Sequence, residues 1–417
     1  MKRVPAAAPA ADRLRWPDVA TVPATAVRAV AARLAFGRAV RRLGLQVAGP
    51  EGDSPGSGAT LVIRRPADFF RRLGADGPMG FGEAYMAGDW DTDELAELLT
   101  ALGTGYEQLV PAPLRLLRPL LVRRRPAAED QSITSSRRNI ELHYDLPPEM
   151  FAAFLDETMT YSCALFSEEA ASLPVVPAGS LAAAQRRKVD AILDLVGVAA
   201  GTRVLEIGTG WGELAIMAAR RGASVVTITN SPQQHRAASG RVKAAGVEDR
   251  VSVQLLDYRE VAGQFDAVVS VEMIEAVGDA YWPDYFGAID AALAPGGRAA
   301  IQAITLPHRR MLEVRRSYSW MDKYIFPGAV IPSRQAIEET LARHTSLHVS
   351  SVRPMAAHYV RTLHVWREQF GAAADTMAGL GFDDVFCRMW QFYLAYSEAG
   401  FRTQLVDVGQ YLLERRS

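Results

Sequence analysis

The pattern of apolar and polar residues along this chain changes near residue 139. After that point, short runs rich in Val and Ile are separated by stretches in which apolar residues recur at helical spacing. The runs predict five strands, at Arg203–Ile207, Ala223–Thr229, Val251–Leu255, Phe265–Val271 and Arg298–Thr305. Helices are predicted at Glu213–Arg221 and from Gln233, and a turn at Ala294–Gly297. This alternation predicts a doubly wound, Rossmann-like α/β sheet, which binds ligands at the carboxyl ends of its strands.

The residues before 139 have a mixed pattern. Arg28–Arg42 is basic with helical spacing, Ala59–Arg64 is a short strand candidate, and Met79–Trp90 is punctuated by glycines. Residues 1–20 are rich in Ala and Pro, and this composition predicts a disordered tail. We therefore divide the chain into a tail (1–20), a smaller N-terminal α+β domain (21–110), a basic linker (111–138) and the α/β domain (139–417).

Composition narrows the class of protein. The formal net charge of −1 gives no general field for nucleic acid, so no nucleic-acid partner is expected. Cys163 and Cys387 are too few for a disulfide framework and favour a cytoplasmic location. No apolar run approaches the roughly 20 residues that cross a bilayer. Residues 1–15 lack the apolar segment of a signal peptide.

The motif at positions 204–212 carries the most chemical information. It joins a β-branched strand containing Glu206 to a loop with Gly208, Gly210 and Gly212. Glycine lets a backbone turn sharply and approach a ligand closely. A dinucleotide site needs glycine at 213, where Glu213 would repel a pyrophosphate. S-Adenosylmethionine has no phosphate, so we interpret the loop and Glu206 as its site. A tight turn without a ligand is the structural alternative.

Two further loops are candidates for cofactor contacts. After the second predicted strand, Thr229, Ser231 and Gln234 offer hydroxyl and amide groups that can bond ribose. The same Ser, followed by Pro, is also an ordinary helix start. After the third strand, Asp257 and Tyr258 are placed to meet adenine, with the Asp accepting from its amino group. A solvated turn is the alternative there.

Several longer motifs resemble the cyclopropane-fatty-acid synthase family. Those of the α/β domain are Asn139-Ile-Glu-Leu-His-Tyr-Asp-Leu146, Met159-Thr-Tyr-Ser-Cys-Ala164, Val271-Glu-Met-Ile-Glu-Ala-Val-Gly278, Lys323-Tyr-Ile-Phe-Pro-Gly328 and Phe392-Tyr-Leu-Ala-Tyr-Ser-Glu-Ala-Gly-Phe401. Gly82-Glu-Ala-Tyr-Met-Ala-Gly-Asp-Trp90 resembles the N-terminal domain of full-length bacterial members. Within the family, the chain looks most like an actinobacterial branch that methylates oleoyl phospholipid on the way to 10-methylstearate (tuberculostearate).

The resemblance implies a reaction. The sulfonium methyl of S-adenosylmethionine is transferred to a cis double bond in an acyl chain, and a carbocation forms on the adjacent carbon. Loss of a proton from the new methyl closes a cyclopropane ring, whereas a hydride shift followed by that loss leaves a 10-methylene branch. Either outcome requires a base in a dry pocket. A saturated methyl branch would additionally require a separate reductase.

The family uses a bound bicarbonate ion as this base. The resemblance places its ligands here at Cys163, Glu275, Tyr359 and the backbone of Ile304, and no metal is implied. The family's histidine on the fifth strand is Gln302, which can donate a hydrogen bond but cannot become cationic.

The same resemblance places Tyr161 and Ser162 against the cofactor, in a lid segment. Each assignment has a structural alternative. A lone Cys such as Cys163 is usually a small buried residue. Glu272 and Glu275 are three residues apart and could share a solvated helix face, although position favours Glu275 as the catalytic carboxylate. Tyr359 and the aromatic run Trp390, Phe392, Tyr393 and Tyr396 could be core.

The implied substrate predicts a peripheral protein at the inner membrane face. A double bond near mid-chain lies within the bilayer, and basic stretches favour anionic surfaces. The candidates are Arg28–Arg42 and Leu114–Arg125, the latter with Arg115, Arg118, Arg123, Arg124 and Arg125. A solvated helix face and a plain linker are the alternatives.

Two other functions remain open from the sequence. One is a methyltransferase that acts on a small soluble molecule, for which no basic membrane patch is expected. The other is a non-catalytic lipid-binding relative, for which a broken glycine loop or a lost carboxylate is expected. A homodimer is compatible with the sequence, which does not choose between cyclopropane and methylene products.

Overall fold

The computed structural model describes residues 11–56, 58–105, 146–168 and 179–416. The linker 111–138, the Leu114–Arg125 stretch and most of the Asn139–Leu146 motif lie outside these residues. The chain forms two compact units. The first contains the described residues up to 105, Tyr318–Ile325 and Arg367–Thr403. The second contains residues 146–317, Phe326–Trp366 and the chain from Gln404 onward.

The described strands form two sheets. In chain order they are β1 (Gln46–Ala48), β2 (Thr60–Ile63), β3 (Trp90–Asp91), β4 (Arg203–Ile207), β5 (Ser224–Thr229), β6 (Val251–Leu255), β7 (Phe265–Val271), β8 (Leu293–Thr305), β9 (Leu347–Pro354) and β10 (Asp407–Arg415). The smaller sheet has the order β1-β2-β3, and the larger has the order β6-β5-β4-β7-β8-β10-β9.

The described α-helices, in chain order, are α1 (Pro17–Ala20), α2 (Ala26–Leu43), α3 (Pro66–Asp76), α4 (Pro78–Ala87), α5 (Leu95–Thr104), α6 (Pro148–Ala152), α7 (Ser180–Leu195), α8 (Glu213–Arg220), α9 (Pro232–Ala244), α10 (Ile274–Val277), α11 (Trp282–Ala292), α12 (His308–Val314), α13 (Trp320–Tyr324), α14 (Arg334–His344), α15 (Ala356–Ala372), α16 (Ala374–Gly379) and α17 (Asp384–Arg402). Among them, none is long and apolar enough to cross a membrane.

The larger sheet confirms the predicted fold class. β6, β5, β4, β7 and β8 pair in parallel, and β10 is antiparallel to both β8 and β9. Neighbouring residues of β4 and β7 enter different cores. Val204 and Val269 pack with α7 and α8, whereas Leu205 and Val268 pack with α11 and α14. Successive side chains of a strand point to opposite faces, so the two cores are the two helix layers of a doubly wound sheet.

Within the larger sheet, the sequence pattern located β4, β6 and β7 to the residue, but β9 and β10 were not predicted. β9 buries only Leu347, so it lacks the apolar run on which the prediction relied. The prediction that a turn at Ala294–Gly297 precedes the fifth strand is wrong, because β8 begins at Leu293 and continues through these residues. The register shifts there, with Phe265 opposite Leu293 and Ala267 opposite Arg298. The Pro-Gly-Gly sequence therefore marks an irregularity inside a strand.

The predicted disordered tail is partly ordered. The residues that the structure describes before 21 include α1, in which Val19 is buried. The buried guanidinium of Arg72 donates to the carbonyl of Val19 at 2.6 Å and to that of Asp18 at 2.8 Å. These bonds give a buried charge its partners and fix the end of the tail. The predicted end of the disordered tail, at residue 20, therefore lies too far along the chain.

The glycine-punctuated motif near residue 82 has a packing role within the first unit. A Cβ at Gly82 would lie 2.6 Å from Cδ1 of Trp320, so a larger residue would displace that ring. The next residue, Glu83, accepts hydrogen bonds from Lys323 at 2.6 Å and from Tyr324 at 2.9 Å. Two motifs that are more than 200 residues apart in sequence thus meet at one buried carboxylate.

Candidate active site

The glycine loop adopts the conformation that its sequence predicts. Gly208, Gly210 and Gly212 have φ values of 97°, 51° and 91°, a region that side chains with a Cβ rarely adopt. A Cβ at Gly208 would lie 2.6 Å from the Met273 side chain, and one at Gly212 would lie 3.2 Å from Ala238. At Gly210 it would meet nothing within 4 Å. Gly210 therefore faces open space that a ligand can fill.

That space is a cavity at the carboxyl ends of β4, β5 and β7. Its lining comes from the ends of these strands and the loops after them, from the loop after β6, from α7 and the start of α8, and from residues 158–162. The predicted cofactor residues that line it are Tyr161, Ser162, Glu206, Gly208, Gly210, Thr229, Gln234 and Tyr258. Gly212, Ser231 and Asp257 do not line it. Ligand binding at the carboxyl ends of parallel strands is the rule for open α/β sheets.

Glu206 is buried at the strand end below the glycine loop. Its carboxylate accepts a hydrogen bond from the hydroxyl of Thr227 at 2.6 Å, and that hydroxyl lies 2.7 Å from the hydroxyl of Thr209. Burial raises the pKa of Glu206 to about 8, although Thr227 and the charge of Lys188 act in the opposite direction. A ligand hydroxyl that bonded this carboxylate would stabilise its charged form.

The loop after β5 is held by its own polar side chains. Ser231 caps α9 by accepting from the amide of Gln234 at 3.2 Å, so the helix-start interpretation is confirmed for this residue. Thr229 donates to the side-chain oxygen of Gln234 at 2.8 Å. Thr229 and Gln234 line the cavity, as does Asn230 of the same loop, whereas Ser231 does not. These three side chains are polar groups available to ribose hydroxyls.

Asp257 differs from its predicted role at adenine. Its two carboxylate oxygens accept from the guanidinium of Arg259 at 2.7 and 2.8 Å and from the amide of Asn230 at 3.1 Å. Burial raises the pKa of Asp257, but these hydrogen bonds outweigh it and bring the pKa below its usual value. The side chain orders the loop, and the cavity wall is formed instead by Leu256 and Tyr258.

A lysine that the sequence analysis missed lies in the same cavity. Lys188 of α7 is buried and donates to the hydroxyl of Ser162 at 2.7 Å. One helical turn earlier, Gln185 donates to the carbonyl of Ser162 at 2.9 Å. Burial lowers the pKa of Lys188 to about 8, opposed by the charges of Glu272 and Cys163. The sequence did carry a signal for this site, because Gln185 and Lys188 are two polar side chains three residues apart on an otherwise apolar helix face.

Aromatic rings surround the segment that carries Tyr161. The centroid of its ring lies 5.2 Å from that of Trp366 and 5.4 Å from that of Phe151. The ring of Phe151 in turn lies 5.6 Å from that of Trp211. These faces exclude water and attract cations. The aromatic run at Trp390–Tyr396 belongs to the first unit, where Trp390, Phe392 and Tyr393 are buried as core.

The candidate catalytic groups converge on a carboxylate that the sequence analysis passed over. The side chain of Glu272 accepts from the backbone amide of Cys163 at 2.9 Å and from the amide of Gln302 at 2.8 Å on Oε1. The hydroxyl of Tyr359 donates to its Oε2 at 2.7 Å. Glu272 lines the cavity, whereas Glu275 does not. Glu272 and Glu275 do not share a helix face, because α10 begins at Ile274, after Glu272.

Glu275 is a separate buried carboxyl group. Its Oε1 accepts from the backbone amide of Ile304 at 2.5 Å, and its Oε2 has no hydrogen-bond partner. Burial raises the pKa of Glu275 to about 8, and the charge of Glu272 raises it further. The predicted group is therefore divided in two: Glu275 with Ile304, and Glu272 with Cys163, Gln302 and Tyr359.

The sheet order, the antiparallel β10 and a cavity beneath the glycine loop define a class I S-adenosylmethionine-dependent methyltransferase. The chain belongs to the mycolic acid cyclopropane synthetase family, whose model matches residues 131–411. It is 50% identical over 414 residues to tuberculostearic acid methyltransferase UfaA1 of Mycobacterium tuberculosis, covering 97% of this chain and 96% of that protein. It is 32% identical over 362 residues to the Escherichia coli cyclopropane-fatty-acyl-phospholipid synthase, covering 86% and 88%.

Solved structures agree with this assignment. The cyclopropane synthase MmaA2 of Mycobacterium tuberculosis matches with a TM-score of 0.60 and 27% identity, over 66% of this chain and 97% of that one. The mycolic acid cyclopropane synthase CmaA1, complexed with SAH and CTAB, matches with a TM-score of 0.60 and 26% identity, over 67% and 98%.

Proposed function

We propose that this methyltransferase transfers the methyl group of S-adenosylmethionine to the cis double bond of an unsaturated acyl chain in a phospholipid. One observation carries the proposal: half of the residues are identical, over nearly the whole of both chains, to those of a tuberculostearic acid methyltransferase. The same relative favours the 10-methylene product over the cyclopropane. A methylene branch becomes a saturated methyl branch only by reduction, so a separate reductase would act on the product.

The cavity has the features that this cofactor requires. The backbone at Gly210 leaves room for it, Glu206, Thr229 and Gln234 offer polar groups to its ribose, and Tyr258 offers a ring face to its base. When bound, S-adenosylmethionine supplies an electrophilic methyl group. The part of the site that receives the alkene must be dry, because water would capture a carbocation.

The aromatic residues near the cofactor segment meet this requirement. The rings of Tyr161, Trp366 and Phe151 form a packed wall in the second unit, and Trp366 and Phe151 are fully buried. Aromatic faces stabilise a neighbouring cation through their quadrupole while offering no nucleophilic oxygen. In the proposed reaction the ring of Tyr161, which lines the cavity and packs against Trp366 and Phe151, faces the substrate cation until a base removes a proton.

A peripheral contact with an anionic membrane is the second part of the proposal. Helix α2 exposes Val27, Val30 and Leu34 by 86%, 62% and 62%, at positions that share one helix face. The same helix contains no acidic residue and exposes five arginines, which are Arg28, Arg33, Arg38, Arg41 and Arg42. An apolar stripe flanked by arginines is typical of a helix that lies in a membrane interface.

The proposed activity is tested by mass spectrometry of membrane lipids from a host that expresses the chain. We expect unsaturated phospholipids heavier by one methylene group, and none in a host expressing Gly210→Val. Unchanged lipids, with S-adenosylmethionine consumed on a soluble acceptor, would contradict the proposal.

A further inference from the structure

The family resemblance implies a bicarbonate ion as base, with ligands at Cys163, Glu275, Tyr359 and the backbone of Ile304, and with Gln302 in place of the family's histidine. The structure does not fit this ion. Cys163, Tyr359 and Gln302 donate to the carboxylate of Glu272, at 2.9, 2.7 and 2.8 Å. A second anion at this point would find its donors in use and would face a carboxylate of like charge. Glu272 occupies the position that the resemblance gives to the ion.

The backbone is shaped to place this side chain. Among the described residues, only Met159, Glu272 and Gln404 are non-glycine residues with positive φ, and Glu272 has a φ of 51°. The strained turn is held by a hydrogen bond of 2.7 Å from the amide of Glu272 to the carbonyl of Gln302. Backbone strain of this kind persists where the surrounding structure over-determines it, and it clusters at functional sites.

The surroundings of Glu272 suit a base. Burial raises the pKa of its carboxyl group, and the three donors and the charge of Lys188 lower it only in part. The three groups that donate to this carboxylate, which are the Cys163 amide, the Gln302 amide and the Tyr359 hydroxyl, are all neutral. A histidinium in its place would lower the pKa of Glu272 and weaken it as a base. Glutamine in place of the family's histidine at position 302 is therefore compatible with Glu272 acting as a base, whereas a charged histidine would not be.

We propose that the carboxylate of Glu272 is the built-in base of this enzyme and replaces bicarbonate. This inference rests on the proposed function. The π electrons of the alkene form the bond to the transferred methyl, leaving S-adenosylhomocysteine and a carbocation. Glu272 takes a proton from that methyl, and the C–H electrons form the methylene double bond after a hydride shift, or the ring without one. The protonated Glu272 returns its proton to solvent.

The test compares three forms of the full chain with dioleoyl phosphatidylglycerol vesicles and S-adenosylmethionine, in buffer freed of carbon dioxide. The wild type should keep its rate within about twofold with or without bicarbonate. Glu272→Gln, which fills the same space, should lose at least ~100-fold with no rescue. Glu272→Gly relieves the positive φ and opens an anion site, so its lost rate should recover at least tenfold on adding bicarbonate or formate.

A binding measurement supplements the rates. With labelled bicarbonate, carbon NMR should detect the bound ion in Glu272→Gly and none in the wild type. A wild type that loses most of its rate without bicarbonate, or a Glu272→Gln variant with more than half of the wild-type rate, would overturn the inference. Calorimetry with S-adenosylmethionine confirms that each variant is folded. Failure of the proposed function looks different, because the wild type would then methylate no lipid under any condition.

Discussion

The ammonium group of Lys188 lies 2.7 Å from the hydroxyl of Ser162, at the wall of the cavity. This contact links the helix before the first strand of the large sheet to the segment that carries Tyr161. The charge of Lys188 also lowers the pKa of two buried carboxyl groups, those of Glu206 and Glu272. Among the described residues that line the cavity, Lys188 is the buried cation, and its charge offsets the charges of the neighbouring acidic groups.

Replacing the lysine tests its electrostatic role. Lys188→Met keeps the apolar stem but removes the charge, so the pKa of Glu272 should rise. Because the proposed base acts when deprotonated, the acidic limb of the rate profile should move to higher pH by about one unit. Affinity for S-adenosylmethionine should fall about tenfold, because Ser162 loses its partner. The control is Lys243→Met on the exposed side of α9. A rate profile that does not move would contradict this role.

The cofactor site is tested at Gly210. A valine there would point into the cavity and force a β-branched residue to a φ of 51°. The control is Gly246→Val, because Gly246 has a φ of 66° and also meets nothing within 4 Å. Both variants should lose similar thermal stability, whereas only Gly210→Val should lose binding of S-adenosylmethionine by calorimetry. Equal affinity in the two variants would show that the cofactor lies elsewhere.

Glu275 should make stability depend on pH. Burial raises its pKa to about 8 in the folded protein, so the folded state holds a proton that the unfolded state loses above about pH 4.5. This contribution to stability is complete at low pH and is lost as the pH rises toward 8. Glu275→Gln cannot ionise, so its melting temperature relative to wild type should climb by several degrees between pH 5 and 8.

Glu248→Gln is the matched control for that experiment, because Glu248 is exposed. Its melting temperature should follow the wild type at every pH. A difference between Glu275→Gln and wild type that stays constant with pH would mean that Glu275 is ionised throughout.

The membrane contact is tested on helix α2. Val27, Val30 and Leu34 changed together to Ser should weaken binding to anionic vesicles at least tenfold, because the apolar face that enters the interface is lost. Wild-type binding should also weaken with salt, since the flanking arginines attract the lipid head groups. Leu312→Ser changes an exposed leucine on α12 and should bind normally. Equal binding by the triple variant and the wild type would mean that α2 is a solvated helix that does not contact the membrane.

The sequence predicted the sheet well because its central strands are buried on both faces and therefore form continuous apolar runs. It failed at β9, where Leu347 is the only buried residue. It also did not predict the role of Gly82. A glycine is required there because Trp320, from a distant part of the chain, packs closely against it. Such contacts cannot be inferred from local pattern.

The site was predicted in part for a related reason. The glycine loop is a local motif, so its conformation follows from its residues. Glu272 was passed over because a spacing of three residues from Glu275 suggested a shared, solvated helix face, whereas a positive φ ends the strand and α10 starts later. Lys188 was missed because lysines on amphipathic helices are usually solvated. Both errors arise where a charged residue is buried with partners that are distant in sequence.

The most direct test of the account is carbon NMR of the lipid product. Purified enzyme is incubated with dioleoyl phosphatidylglycerol vesicles and S-adenosylmethionine that carries a carbon-13 label in its methyl group. We expect the label in the terminal =CH2 carbon of a 10-methylene group, bonded to a carbon of the former double bond. A ring carbon would assign the cyclopropane product to the same site. Label in no acyl chain, with the cofactor consumed, would contradict the account.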